Sequence, residues 1–229
     1  LPRVFEWKRN EETFGTNHPQ TLTSMNNLAL LLHAKGKYQE AAVLHRCALE
    51  GNEATLGPNH PNTLGSANNL ALLLHATGRR SEAESLHRRA LEGREATLGP
   101  THPITLTSLH NLAAPLQALG RHQEAEPLLR RALDGRLATL GADHRDTLHS
   151  MNDLAELLRA TGRLGEAERL HRRALEGRRA TLGPEDPDSL QSANNLALLL
   201  EATGRHHDAE PLLRHSLQGS AAALGQEHP

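Results

Sequence analysis

The sequence has 229 residues with 25 basic and 27 acidic side chains, so its formal net charge is -2. This balance excludes the large one-signed field that nucleic acids or anionic lipid surfaces attract. Aromatic residues make up 2% of the chain, which leaves leucine and alanine to form a core and offers single-stranded nucleic acid no stacking platform. The single cysteine, Cys47, favours a reducing, cytoplasmic setting. No apolar stretch approaches the roughly 20 residues of a membrane span.

A pattern of 42 residues recurs along the chain with constant spacing. His18-Pro19 returns as His60-Pro61 and as His102-Pro103, and Gly36 returns as Gly78. A fixed period of roughly 20–50 residues is typical of a solenoid, in which each unit buries its apolar face against its neighbours.

The period divides the chain into five full repeats with partial ends. The end of a preceding repeat covers residues 1–14, the full repeats cover 15–56, 57–98, 99–140, 141–182 and 183–224, and residues 225–229 start a further repeat. The sequence begins in mid-repeat, without an initiator methionine or an atypical capping repeat, so we expect it to be a piece of a longer array.

Each repeat is predicted to form a helical hairpin. In repeat 57–98, Pro61 suits the first helical position because its missing N–H is no loss there, and Gly78 is typical of a helix C-terminus. Apolar residues recur at helical spacing before and after this glycine. The fold class is therefore all-α, with ten helices from the five full repeats and a partial helix before them.

The second helix of each repeat carries a glutamate four residues before an arginine, as in Glu84 and Arg88. This order is the favourable one, worth about 0.2–0.5 kcal/mol per pair. The same pair recurs as Glu126 with Arg130, Glu168 with Arg172 and Glu210 with Arg214. The arginines are therefore predicted to form a solvated, self-neutralised face rather than a basic patch.

Two features of the helices are less easily explained. Glycine recurs once in each second helix, at Gly51, Gly93, Gly135, Gly177 and Gly219. Since glycine there costs about 1 kcal/mol relative to alanine, a close contact or a bend would explain it, as would copying of one ancestral unit. Pro115 stands where other first helices have leucine, so we expect the third repeat to kink and loosen, either as a hinge or as a tolerated defect.

The sequence predicts no enzyme, no cofactor and no metal site. Most of its 16 histidines recur with the repeat, in the turn or at one position of the second helix (His45, His87 and His171). They form no tight cluster of the kind that binds zinc. The chain also contains neither a phosphate-binding GxxxxGK[ST] run nor a GxSxG run.

Marker residues within the repeat carry a family resemblance. In LGPNHPNTLGSANNLALLLHATGRRSEAESLHRRALEGREAT these are Asn69-Leu70-Ala71, Gly78, Glu82-Ala83 and Ala90-Leu91. The repeat resembles the 42-residue tetratricopeptide repeat of kinesin light chain and nephrocystin-3. The resemblance implies a right-handed superhelical solenoid of tandem hairpins, whose first helices line a concave groove for extended peptides.

The stripe of each first helix that faces away from its hairpin partner would form that groove. The candidate peptide-binding residues are Asn26, Asn27, Leu30, His33, Asn68, Asn69, Leu72, His75, His110, Asn111, Asn152, Asp153, Glu156, Arg159, Asn194 and Asn195. Asparagine suits this role because its amide both donates and accepts hydrogen bonds. Alternatively, the second asparagine of each pair bridges adjacent hairpins, and the leucines at 30, 72 and 198 pack against the next repeat.

We therefore expect a non-catalytic scaffold or adaptor, monomeric as a module, whose partner is a protein or peptide, similar to the cargo-binding array of kinesin light chain. The stripe carries one basic residue, Arg159, beside Glu156 and Asp153, which disfavours an acidic cargo peptide. Two alternatives remain open: a nephrocystin-like or signalling scaffold, and the sensor or regulatory arm of a larger NTPase or other effector.

Overall fold

A computed structural model describes residues 2–227 of the chain and the side chains of residues 8–221. Its helices are α1 (Pro2–Phe14), α2 (Pro19–Ala34), α3 (Tyr38–Leu56), α4 (Pro61–Ala76), α5 (Arg80–Leu98), α6 (Pro103–Ala118), α7 (His122–Leu140), α8 (Arg145–Ala160), α9 (Leu164–Leu182), α10 (Pro187–Ala202) and α11 (His206–Glu227). These eleven helices are the only regular elements among the described residues. The predicted all-α class, with ten repeat helices after a partial one, is confirmed.

The recurring turn residues begin and end the first helix of each repeat. Before α4, the Nδ1 atom of His60 accepts the backbone N–H of Asn62 at 3.2 Å, and Pro61 occupies the first helical position. Asp186 takes the place of the capping histidine before α10. After α4, Gly78 has a φ of +82°, a left-handed conformation that favours glycine. The repeated histidines of the turn are thus helix caps.

The chain forms two compact units, Leu1–Arg121 with α1 to α6 and His122–Pro229 with α7 to α11. In unit 1, α1 to α5 each pack against the following helix. The first helices also contact one another, α2 with α4 and α4 with α6. In unit 2, α7 to α10 each pack against the following helix.

Leucine and alanine form the core, as the composition requires. One cluster in unit 1 consists of Leu49, Ala67, Leu70, Ala71, Leu74 and Ala83, and its counterpart in unit 2 of Leu175, Ala193, Leu196, Ala197, Leu200 and Ala209. Ala67, Ala71 and Ala83 are completely buried. Such small side chains let three helices approach closely enough to exclude water.

Close packing explains the recurring glycine of the second helix. A Cβ atom placed on Gly93 would lie 2.6 Å from the Cδ2 atom of Leu64, which belongs to the first helix of the same hairpin. Gly51, Gly177 and Gly219 have the same relation to Leu22, Leu148 and Leu190. Of the explanations offered by the sequence, a close contact is therefore favoured, and its partner is a core leucine rather than an adjacent repeat.

Helix α6 continues through Pro115 and has 16 residues, as α4 does. The expected loosening of this repeat stays a prediction. Helix α11 runs through Gly225, where the sequence analysis placed the start of a further repeat. His228 and Pro229, which would continue that start, lie outside the described residues, and the repeat boundaries remain predictions.

The predicted ion pairs of the second helices all form. The side chains of Glu84 and Arg88 lie 2.9 Å apart, and the three equivalent pairs are equally close (Glu126–Arg130 2.8 Å, Glu168–Arg172 2.6 Å, Glu210–Arg214 2.6 Å). Arg121, which follows α6 in the chain, also pairs with Glu84 at 2.5 Å. The arginine-rich face is thus neutralised by its own carboxylates.

Candidate functional site

The leucines of the stripe are exposed. Leu30 on α2 and Leu72 on α4 keep 46% and 41% of their surface accessible in unit 1, and Leu198 on α10 keeps 45% in unit 2. More than half of each leucine is nevertheless covered, so the alternative in which these leucines pack against the next repeat stays open. Their open surface makes them candidate apolar contacts for a ligand.

The second asparagine of the pair has hydrogen-bonding capacity to spare. Asn27 is exposed and Asn69 is half-buried, and neither makes a hydrogen bond to another described residue. In unit 2, Asn194 is equally unbonded among the described residues, whereas the Oδ1 atom of Asn195 accepts a hydrogen bond from Gln191 at 2.7 Å. The amides at 27 and 69 are therefore available to a ligand.

The first asparagine of the pair holds neighbouring hairpins together. The Nδ2 atom of Asn26 donates to Ser66 Oγ at 2.8 Å, and its Oδ1 atom lies 2.9 Å from His45 Nδ1. Asn152 makes the same two contacts, to Ser192 at 2.8 Å and to His171 at 2.9 Å. In repeats 1 and 4 the first residue of the pair thus bridges adjacent hairpins, and these two amides are occupied.

Repeat 2 departs from this arrangement. The Oδ1 atom of Asn68 accepts a hydrogen bond from the Nδ2 atom of Asn111, at 2.9 Å, which joins α4 to α6. His87, the counterpart of His45, has no hydrogen-bond partner for either ring nitrogen among the described residues. The ring is nevertheless only 1% exposed, so a buried polar group is left unsatisfied.

Burial controls the charge of two of these histidines. It lowers the pKa of His45 from 6.5 to about 4, with a further lowering by His33. Burial also lowers the pKa of His87 from 6.5 to about 4, and the neighbouring His75, Arg94 and His110 act in the same direction. Both imidazoles are therefore neutral near pH 7.

The stripe of unit 2 is occupied by its own charges. The Oε1 atom of Glu156 lies 3.2 Å from His171 Nε2, and its Oε2 atom accepts a hydrogen bond from Arg159 at 2.8 Å. These contacts, first His171 and then Arg159, hold the pKa of Glu156 below its usual value despite an opposing effect of burial. Asp153 lies 3.4 Å from His149. The predicted residues Asp153, Glu156 and Arg159 thus have partners within the chain.

The remaining predicted residues flank these contacts. His33 is half-buried, and its ring centroid lies 5.5 Å from that of Tyr38. His75 and His110 are also half-buried. Burial, and then Arg80, lower the pKa of His75.

A recurring polar clamp between hairpins was not predicted from the sequence. The guanidinium groups of Arg94, Arg136 and Arg178 donate to Ser108, Ser150 and Ser192 at 2.7, 2.6 and 2.9 Å. Asn10 and Asn52 occupy the equivalent positions and donate to Ser24 and Ser66 at 2.9 and 3.0 Å. The recurrence of these five serines at the repeat period was the signal that could have revealed the clamp. These hydrogen bonds connect each of these second helices to the first helix of the next repeat.

None of the helices in the described part of the chain combines the length and the apolar character that a bilayer crossing requires.

Comparison with protein families matches the chain to the tetratricopeptide repeat over residues 43–96, 64–138, 106–180 and 146–222, and to a second tetratricopeptide repeat profile over 21–62. Comparison with curated proteins gives no match.

Solved structures share the fold over nearly the whole chain. A kinesin light chain-like protein of Podosopora anserina, with nearly identical TPR-like repeats, is 32% identical, covers 90% of this chain and 98% of that chain, and has a TM-score of 0.78. BtubC (BKLC) of P. vanneervenii is 24% identical, covers 100% of this chain and 90% of that chain, and has a TM-score of 0.81. YrrB, described as a TPR protein with an unusual peptide-binding site, is 15% identical over 93% of this chain and 91% of that chain, with a TM-score of 0.56. The last two likenesses concern the fold alone.

Proposed function

Because the chain belongs to the tetratricopeptide repeat family and is of the kinesin light chain-like type, we propose that it is a non-catalytic adaptor that binds an extended peptide segment along its first helices. Proteins of this family are generally interaction scaffolds without enzymatic activity, and their partners are proteins or peptides. The proposal adds to this the surface and the chemistry of binding.

The pairing of exposed leucines with unbonded amides in unit 1 carries the proposal. Leu30 and Asn27 lie on α2, Leu72 and Asn69 lie at the equivalent positions of α4, and these two helices contact each other. An extended peptide presents apolar side chains and backbone amides in alternation. The leucines can bury apolar side chains of the peptide. The asparagines can donate hydrogen bonds to its backbone carbonyl groups and accept them from its backbone N–H groups.

We propose that the peptide contacts only those predicted residues whose side chains are not occupied by partners within the chain, together with Asn195. In unit 1 the proposed contacts are Asn27, Leu30, Asn69 and Leu72, flanked by His33 and His75, and in unit 2 they are Asn194, Asn195 and Leu198. The occupied amides of Asn26 and Asn152 support the hairpins beneath them. The single basic residue of the stripe, Arg159, is held by Glu156. We therefore propose an apolar or polar peptide segment rather than an acidic one as the ligand.

A peptide selected against the chain from a random library by display would test the surface. Its affinity would be measured by fluorescence anisotropy for the wild type and for the double variant Leu30→Ala with Leu72→Ala. We expect the double variant to bind about tenfold or more weakly, since each buried leucine contact is worth on the order of 1 kcal/mol.

Val43→Ala is the matched control, because Val43 is 57% exposed on the second helix α3 and lies outside the stripe. It is expected to bind like the wild type. Equal affinity of the leucine double variant and the wild type, or a loss confined to Val43→Ala, would place the binding surface elsewhere.

A further inference from the structure

One position of the second helix holds a buried histidine in three repeats but in different surroundings. The repeat period relates His45, His87 and His171 to one another, and gives the third and fifth repeats Leu129 and Leu213. His45 and His171 are completely buried and His87 is 1% exposed. The same imidazole is therefore placed in the same hairpin interior, and its neighbours decide whether it tolerates a proton.

In unit 1 the neighbours of His87 oppose protonation. The charged and titratable groups that act on it are His75 of α4, His110 of α6 and Arg94 of its own helix, and all of them lower its pKa. Neither ring nitrogen has a hydrogen-bond partner among the described residues. A proton on this ring would create a buried cation near the Arg94 guanidinium, without a hydrogen-bond acceptor among the described residues.

His45 is a milder case of the same arrangement. Its Nδ1 atom is bonded to Asn26, while its Nε2 atom is buried without a partner among the described residues. The group that acts on its charge is His33 of α2, which again disfavours the proton. Among the described residues, no carboxylate acts on either ring to offset these effects.

In unit 2 both ring nitrogens of His171 face an oxygen atom, although its Nε2 atom, like that of His45, makes no hydrogen bond to another described residue. Asn152 Oδ1 lies 2.9 Å from its Nδ1 atom, and Glu156 Oε1 lies 3.2 Å from its Nε2 atom. Glu156 stands at the position that Leu30 and Leu72 occupy in unit 1. The fourth repeat thus carries its own counter-charge for the buried imidazole.

We propose that the buried imidazoles of His87 and His45 make unit 1 an acid-sensitive element, in which proton uptake loosens the hairpins α4–α5 and α2–α3, and that Glu156 protects the hairpin α8–α9 of unit 2 from the same effect.

Proton linkage determines how the stability of these hairpins changes with pH. Each imidazole has a pKa of about 4 in the folded hairpin against 6.5 when exposed, so the unfolded hairpin binds protons more readily between these values. The contribution to stability is present above about pH 6.5 and is lost as the pH falls towards 4. This difference between the folded and the exposed pKa shifts the ratio of closed to open hairpin on the order of a hundredfold per histidine once the pH has fallen to about 4. Leu30 and Leu72 lie on the loosened helices, so the peptide-binding surface proposed above would weaken in acid, but the acid sensitivity does not depend on peptide binding.

Hydrogen exchange of the whole chain, followed by mass spectrometry at about pH 7 and about pH 5 and corrected for the chemical exchange rate, measures this directly. We expect α4 and α5 to lose protection on acidification by on the order of tenfold more than α8 and α9. Equal losses in the two hairpins would overturn the proposal.

Three variants copy features of the chain itself. Leu72→Glu gives His87 the carboxylate that Glu156 gives His171, Leu72→Gln is its uncharged control, and His87→Leu copies Leu129. We expect Leu72→Glu and His87→Leu each to remove the extra acid sensitivity of α4–α5, and Leu72→Gln to retain it.

If Leu72→Gln protects as well as Leu72→Glu, or if His87→Leu stays as acid-sensitive as the wild type, the imidazole is not the cause and the proposal fails. His87→Leu places a residue native to this position in the core, so it tests the proposal even if Leu72→Glu does not fold.

Discussion

The hairpins α4–α5 of unit 1 and α8–α9 of unit 2 share their lengths of 16 and 19 residues but differ in their polar interiors. His87 has no hydrogen-bond partner among the described residues, whereas His171 is bonded to Asn152 through Nδ1 and has the Glu156 carboxylate 3.2 Å from Nε2, without a hydrogen bond there. Asn68 is bonded to Asn111, whereas Asn152 is bonded to Ser192. The apolar period is the same in the two hairpins, whereas the polar contacts inside them differ from repeat to repeat.

The largest expected effect is the loss of a buried clamp in unit 2. Arg178 Nη1 donates to Ser192 Oγ and to the carbonyl oxygen of Asp188, both at 2.9 Å. Arg178→Leu leaves both acceptors without this donor, and we expect a loss of about 3 kcal/mol in the free energy of unfolding. Urea denaturation followed by circular dichroism measures it.

Arg178→Asn is the matched control because Asn52 serves the same position in repeat 1, where it donates to Ser66 at 3.0 Å. It is expected to lose less than half as much stability. If asparagine and leucine prove equally damaging, the clamp is not the reason for the effect.

Two glycines of the hairpin α4–α5 are expected to respond to alanine in opposite directions. A Cβ atom on Gly93 would press on the methyl groups of Leu64, whereas nothing lies within 4 Å of one on Gly65. Gly93→Ala should therefore cost about 1–2 kcal/mol, and Gly65→Ala should stabilise by about 0.5–1 kcal/mol through helix propensity. The melting temperatures of the two variants measure these effects. Shifts in the same direction would be inconsistent with a close contact between a Cβ atom at position 93 and Leu64.

Removing the charge of Glu156 should make the hairpin α8–α9 resemble α4–α5. Its contacts with His171 and then Arg159 lower the pKa of Glu156 from 4.5, so its contribution is present above about pH 4.5 and is lost as the pH falls below that value. Since the carboxylate is partly exposed, we expect Glu156→Gln to cost at most about 1 kcal/mol near pH 7.

The measurement is the free energy of unfolding of wild type and Glu156→Gln as a function of pH, with the two curves converging below about pH 4. Curves that run parallel down to low pH would show that the carboxylate charge contributes nothing.

The smallest expected effect lies on the outer face. Arg88→Gln removes a pair with Glu84 in which Arg88 is about half exposed, so the cost should be below about 0.5 kcal/mol. It should disappear in about 1 M salt, because exposed charges are screened there. A loss that persists at high salt would indicate that Arg88 contributes by packing rather than by charge.

Residues whose role depends on neighbours along the same helix could be predicted from the sequence. The cap before α4, the end of α4 at Gly78 and the pair of Glu84 with Arg88 all follow from spacings within one repeat. The periodicity placed Leu72 on the face away from its hairpin partner but left open whether it packs against the next repeat, and the structure shows it 41% exposed.

Residues whose role depends on the next repeat could not be predicted in this way. Arg88 is exposed and Arg94 is buried against Ser108, although both are arginines of the same helix. Likewise, Asn26 reaches Ser66 while the adjacent Asn27 does not, because a rotation of one residue around the helix changes which neighbour is in reach. Which of these side chains reaches the next repeat depends on how adjacent hairpins are aligned, and that alignment is not visible in the sequence of one repeat.

Methyl NMR on the leucine- and valine-labelled chain, titrated with the selected peptide, tests the central claim most directly. We expect the methyl signals of Leu30 and Leu72 to shift on binding and those of Val43, which is 57% exposed on the second helix α3, to stay in place. Shifts confined to Val43 and other second-helix methyls, with Leu30 and Leu72 unchanged, would contradict the assignment of the binding surface to the first helices.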